Sequence, residues 1–182
     1  VKIIIRAVPE RTEFIKYLRT NLPNAEWCFD KTRNAMDTFL DAMRMAGDDP
    51  CVHMEEDIIL TQNFMTKLIG AVHERPNEVI QFFSMRKDDL TKGSRYDNNY
   101  LMNQCFYLPA GYSTAIHDYY QFWEDKEKHP TGTDSMICDY LKAGKEKYWI
   151  HVPSLVDHRV AKSMIDPRRS SKRQSLTFKD PV

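Results

Sequence analysis

Short apolar runs alternate with segments of helical spacing along most of this chain, and that alternation leaves few folds open. Residues 1–6 are largely β-branched and lead to Phe14, Ile15, Leu18 and Leu22 at helical spacing. Residues 25–29 lead in the same way to Ala35, Met36, Phe39, Leu40, Met43 and Met45, and the run from Cys51 leads to Phe64, Leu68, Ile69 and Val72. Further strands are expected over residues 79–84, 104–109 and 148–153, with an aromatic helix around Tyr119, Tyr120, Phe122 and Trp123 and another carrying Met136, Ile137, Tyr140 and Leu141. Strands separated by helices predict an α/β domain with a mostly parallel central sheet flanked by helices. A chain of 182 residues suits one such unit.

Within this pattern, Cys51-Val52-His53-Met54 ends abruptly on Glu55, Glu56 and Asp57 before apolar residues resume at Ile58. A buried strand that stops on carboxylates presents them at its C-terminal end, the edge where open α/β sheets bind ligands. Two acids spaced E-x-D can reach one hard divalent cation; a solvated acidic loop is the plainer alternative. Other candidates fall at matching positions. Arg6 and Arg11 flank the first strand-to-helix junction, where they face either the same edge or solvent. Asp30 closes the second strand, as an N-cap or as a holder of a base or ribose. Asp134 opens a helix, either as an acid on the positive end of its dipole or as a base aimed at a cleft. His158 closely follows the last strand.

Residues 159–182 lose periodicity and become basic and serine-rich, with Arg168, Arg169, Lys172 and Arg173 grouped as a phosphate clamp or interaction arm. The division expected is therefore a domain over 1–158 and a tail over 159–182. Residues 85–99 carry almost no apolar side chains and are expected to form a long polar loop, a candidate substrate lid. Lys and Arg total 26 and Asp and Glu 26, so nothing in the overall charge draws the chain to nucleic acid or an anionic membrane. No apolar run is long enough to span a bilayer, and no signal-peptide pattern is present, which points to a cytoplasmic protein. Four scattered cysteines read as reduced core residues.

Taken in order, Arg6-Ala7-Val8-Pro9-Glu10-Arg11, Glu55-Glu56-Asp57, Thr133-Asp134 and Pro153-Ser154-Leu155-Val156-Asp157-His158, followed by the basic tail, resemble a nucleotide-sugar glycosyltransferase of the GT-A fold. The resemblance implies that Asp57 and His158 bind Mn²⁺ or Mg²⁺ and that Glu55 supports the sugar, the ribose or the hydrated metal, with Glu56 pointing away. It implies that Arg6, Arg11 and Asp30 line the nucleotide pocket, while Arg168, Arg169, Lys172 and Arg173 close over the diphosphate. If the reaction inverts the anomeric centre, Asp134 would be the base that takes the acceptor hydroxyl's proton; if it retains configuration, Asp134 would hold the acceptor. The donor would be a nucleotide-diphosphate sugar; the acceptor would be a hydroxyl on a saccharide, a protein or a hydroxylated base in nucleic acid. A metal-dependent nuclease, a nucleotidyltransferase and a non-catalytic nucleotide-binding module use similar residue types and stand as alternatives.

Overall fold

The computed structural model describes residues 1–161, 164 and 173–182. The chain opens with β1 (Lys2–Ala7), α1 (Thr12–Asn21), β2 (Glu26–Phe29), α2 (Ala35–Ala46) and β3 (Cys51–Glu55). After β4 (Ile58–Leu60) and α3 (Phe64–Glu74) come β5 (Ile80–Gln81), the short α4 (Asp89–Lys92), β6 (Arg95–Asp97) and β7 (Cys105–Leu108). The last elements among the described residues are α5 (Tyr112–Tyr119), α6 (Thr133–Ala143), β8 (Tyr148–Ile150) and β9 (Val156–His158). Seven strands form one sheet in the order β2-β1-β3-β7-β5-β8-β6, and β4 pairs with β9 in a second, two-stranded sheet.

Strand alternation divides the core in two. Ile3 and Ile5 of β1 and Val52 and Met54 of β3 pack with Leu18 and Leu22 of α1 and Phe64, Leu68 and Val72 of α3. On the opposite face, Ile4 and Cys51 pack with Ala42 and Ala46 of α2, while Phe106 and Leu108 of β7 meet Phe39, Ile116 and Met136 from α2, α5 and α6. Both faces are covered, which is why the strands read as continuous apolar runs. The N-cap of α2 is Asn34, whose side chain accepts a hydrogen bond from the Met36 amide, and the helix ends at Gly47 with φ 60°. That left-handed value suits glycine.

The α/β class holds, and the sheet is mixed. β1 runs parallel to β2 and β3, and β5 runs parallel to β8, whereas β7 is antiparallel to β3 and β5, and β6 to β8. The expected long loop is a correction. Residues 85–99 contain α4 and the edge strand β6, held by a buried ion pair in which Asp89 Oδ1 lies 2.9 Å from Arg95 Nη1. A charge pair took the place of the apolar residues that a sequence pattern needs to reveal structure. The aromatic helix also shifts: α5 ends at Tyr119, and Trp123 is buried in the turns beyond it. All four cysteines are buried and free, as expected.

Residues 173–182 pack against the second sheet. Thr61 pairs with Pro181, the Thr61 hydroxyl donates to the Lys179 carbonyl at 2.9 Å, and the Val182 amide donates to the Leu60 carbonyl at 3.0 Å. Among the described residues, no helix is long and apolar enough to cross a membrane.

Candidate functional site

Strand register decides what meets at the sheet edge. Arg6 of β1 is level with Cys28 of β2 and Glu55 of β3, and Met54 is level with Cys105 at the start of antiparallel β7. Residues that follow β1, β2 and β3 therefore converge with those that precede β7. They enclose a cavity of about 360 Å³ lined by Arg6, Arg11, Asp30, Glu55, Asp57, Asp134 and Arg173, together with Glu56, Met102, Asn103, Gln104 and Thr133. Seven residues singled out from the sequence thus share one cavity. His158 lies beside Asp57 and is almost wholly buried. Arg168, Arg169 and Lys172 lie outside the described residues.

The small second sheet joins the two halves of the site. β4 pairs with β9 so that Ile58 faces His158, and the Arg159 amide donates to the Asp57 carbonyl at 2.8 Å. This brings His158 Nε2 to 3.2 Å from Asp57 Oδ2. Arg11 Nη1 donates to the same Oδ2 at 2.6 Å and to Glu56 Oε1 at 3.0 Å. Arg173 Nη2 lies 3.1 Å from His158 Nε2. That ring nitrogen faces an anion and a cation at once: protonated, it donates to Asp57, and deprotonated, it accepts from Arg173. Asp57 Oδ1 is buried and has no hydrogen-bond partner among the described residues.

Charges in this cluster shift one another. Burial opposes ionisation of Asp57, but His158 and Arg11 outweigh it and hold the carboxyl at about 2. Burial, and then repulsion from Asp57, push Glu56 up to about 7 despite Arg11. Glu56 does not point away as expected: it is buried, bonded to Arg11 and part of the cavity wall. Burial also raises Glu55, against the pull of Arg6. For His158, burial disfavours the imidazolium, yet Asp57 outweighs it and the ring is raised above its usual value.

The Arg6 guanidinium lies against two rings that pack on each other, 5.2 Å from the centroid of Phe39 and 5.9 Å from that of Phe106. Its Nη2 donates to the Asn103 carbonyl at 2.8 Å and lies 3.5 Å from Glu55 Oε1. Asp30 is not the N-cap of α2. Its Oδ1 accepts from the Thr32 and Arg33 amides and the Thr38 hydroxyl at 3.1, 2.9 and 3.1 Å. This fixes the carboxylate at the cavity wall. Asp134 accepts from the Ser135 amide at 3.1 Å and from the Met102 amide at 3.4 Å.

The wall formed by Met102, Asn103 and Gln104 was missed in the sequence, as was the bond from Asn103 Nδ2 to the Thr133 hydroxyl at 2.6 Å. Its signal was present in mirror image: polar residues running directly into a buried antiparallel strand reach the same edge as acids that follow a parallel one. Among the described residues, no group of three or more His, Cys, Asp or Glu side chains is gathered to hold a metal. Asp57 and His158 offer two donor atoms at a spacing close to the roughly 3 Å between neighbouring ligands of an octahedral Mg²⁺ or Mn²⁺, ions that take much of their shell from phosphate and water. Both atoms are engaged in this structure, Asp57 Oδ2 by Arg11 and His158 and His158 Nε2 by Arg173, so a cation would take the place of these contacts.

No protein-family model matches the chain, and no curated protein matches it.

Proposed function

We propose that the chain is a metal-dependent glycosyltransferase of the GT-A fold, moving a sugar from a nucleotide-diphosphate sugar to a hydroxyl acceptor. The observation that carries this reading is the gathering of Arg11 and His158 on Asp57, with Arg173 on His158 and a second Asp57 oxygen that is buried without a partner among the described residues. Asp57 and His158 would hold Mn²⁺ or Mg²⁺, which when bound supplies positive charge to the diphosphate leaving group. Arg11 and Arg173 line the same cavity and add fixed positive charge as the sugar–phosphate bond breaks. Arg173 then exchanges the His158 nitrogen for phosphate oxygen, which removes the competition at Nε2.

Asp30, its Oδ1 already satisfied, presents its remaining oxygen to a ribose or base donor group. Arg6 and Glu55 orient sugar hydroxyls, Arg6 being fixed by its two rings and the Asn103 carbonyl. Asp134 takes the acceptor hydroxyl's proton as the new glycosidic bond forms. A panel of nucleotide sugars, each with Mn²⁺ or with a chelator, tests the proposal through thermal stabilisation and donor hydrolysis. Metal-dependent stabilisation and hydrolysis by at least one donor are expected. No metal-dependent response to any donor would refute the reading, and cleavage of DNA or RNA without a sugar donor would replace it with a nuclease.

A further inference from the structure

Behind the Met102–Gln104 wall lies a polar group that no ligand in the cavity can touch. Gln81 is wholly buried on β5, between β7 and β8, where an aliphatic residue would pack without any polar group to satisfy. Its Nε2 donates to the carbonyls of both Leu101 and Met102, and its Oε1 accepts from Arg86 Nη1 at 3.2 Å. Arg86 Nη2 donates to the Asn99 carbonyl at 2.5 Å and to the Tyr148 hydroxyl at 2.7 Å, and that hydroxyl donates to the same Asn99 carbonyl at 3.0 Å. Three side chains from outside the cavity lining therefore hold three carbonyls of one short segment.

We propose that Gln81, Arg86 and Tyr148 are positioning residues, forming a brace that holds the 99–104 segment in the shape the cavity requires. The segment needs holding because Met102 has φ 71°, a left-handed conformation that a side chain disfavours. That conformation turns the Leu101 and Met102 carbonyls back toward Gln81. The same stretch is gripped from the cavity side: the Asn103 carbonyl accepts from Arg6 and the Met102 amide faces Asp134. The brace thus acts on the cavity only through the wall, setting Arg6 and Asp134 relative to each other.

Amide hydrogen exchange on the full chain tests the brace without reference to activity. Gln81→Leu should speed exchange at residues 102–104 by about tenfold or more, leaving β1 and β3 unchanged, because buried carbonyls lose their donors locally. Tyr148→Phe should have a smaller effect, since Arg86 still holds the Asn99 carbonyl. Unchanged exchange at 102–104, or an equal rise across the whole sheet, would overturn the proposal.

A second readout rests on the glycosyltransferase reading. Donor hydrolysis by Gln81→Leu should fall in kcat by about tenfold or more, with Mn²⁺-dependent nucleoside diphosphate binding retained, because Arg11 and Asp57 are held by each other and by His158. Adding Met102→Gly should restore part of that loss, since glycine takes a left-handed φ at little cost. A lost kcat that Met102→Gly leaves untouched would count against the brace. If the wild-type chain hydrolyses no donor, the functional reading falls and the exchange comparison alone decides the brace.

Discussion

Replacing Glu56 by glutamine should stabilise the protein, and by an amount that depends on pH. The folded carboxyl keeps its proton up to about pH 7, whereas an unfolded chain releases it near the ordinary value of 4.5. Between those values the native state binds more protons, so stability falls as pH rises through that window and levels off above it. At about 1.4 kcal/mol per tenfold change in proton affinity, the full loss is about 3 kcal/mol. Glutamine keeps the shape and an oxygen for Arg11 without the charge, so it mimics the protonated form at every pH. Glu56→Gln should therefore unfold like the wild type at about pH 4 and be more stable by about 3 kcal/mol at about pH 8. Urea denaturation of both proteins over that range measures the difference. A constant difference across the range, or destabilisation at about pH 8, would refute the idea that burial beside Asp57 holds this carboxyl protonated.

Further expectations come from neighbouring contacts. Asp57 has the opposite sign: held at about 2 against an ordinary 3.8, it contributes about 2 kcal/mol above pH 4 that is lost as pH falls toward 2, and Asp57→Asn should flatten that acid limb in urea titrations. Arg11→Met leaves two buried acids without their shared cation and should cost about 3–5 kcal/mol at about pH 8 in the same assay. Phe39→Ala removes a fully buried ring beneath Arg6 and should cost about 3–5 kcal/mol in equilibrium unfolding. Arg173→Ala should weaken metal-dependent nucleoside diphosphate binding in calorimetry, whereas Arg159→Ala should leave it intact. Arg159 is engaged elsewhere, over the rings of Phe14 and Tyr17 at 5.0 and 4.5 Å.

Much of the site was legible because parallel strands carry their information at one end. Arg6, Asp30 and Asp57 each follow or close an apolar run, and equal strand direction sends all three to the same edge. What stayed hidden depended on pairings between distant segments. The β4–β9 ribbon consists of two three-residue strands, too short for periodicity, yet it sets Asp57 beside His158. The Met102–Gln104 wall depends on β7 running antiparallel to β3, a direction that apolar content alone does not encode. Glu56 is expected to point away only on the family resemblance, which assigns the site to Glu55 and Asp57. The turn between β3 and β4 carries it to Arg11 instead.

On the proposed mechanism, Asp57 and His158 bind a cation together with a nucleotide-sugar diphosphate while Asp134 serves the acceptor. Release of nucleoside diphosphate from the donor that best stabilises the wild type, followed with Mn²⁺ for the wild type, Asp57→Ala, His158→Ala and Asp134→Ala, tests it most directly. Asp57→Ala and His158→Ala should lose metal-dependent binding and release together, by about a hundredfold or more, while Asp134→Ala should bind the donor normally and lose turnover. Normal metal-dependent donor binding by Asp57→Ala would contradict it.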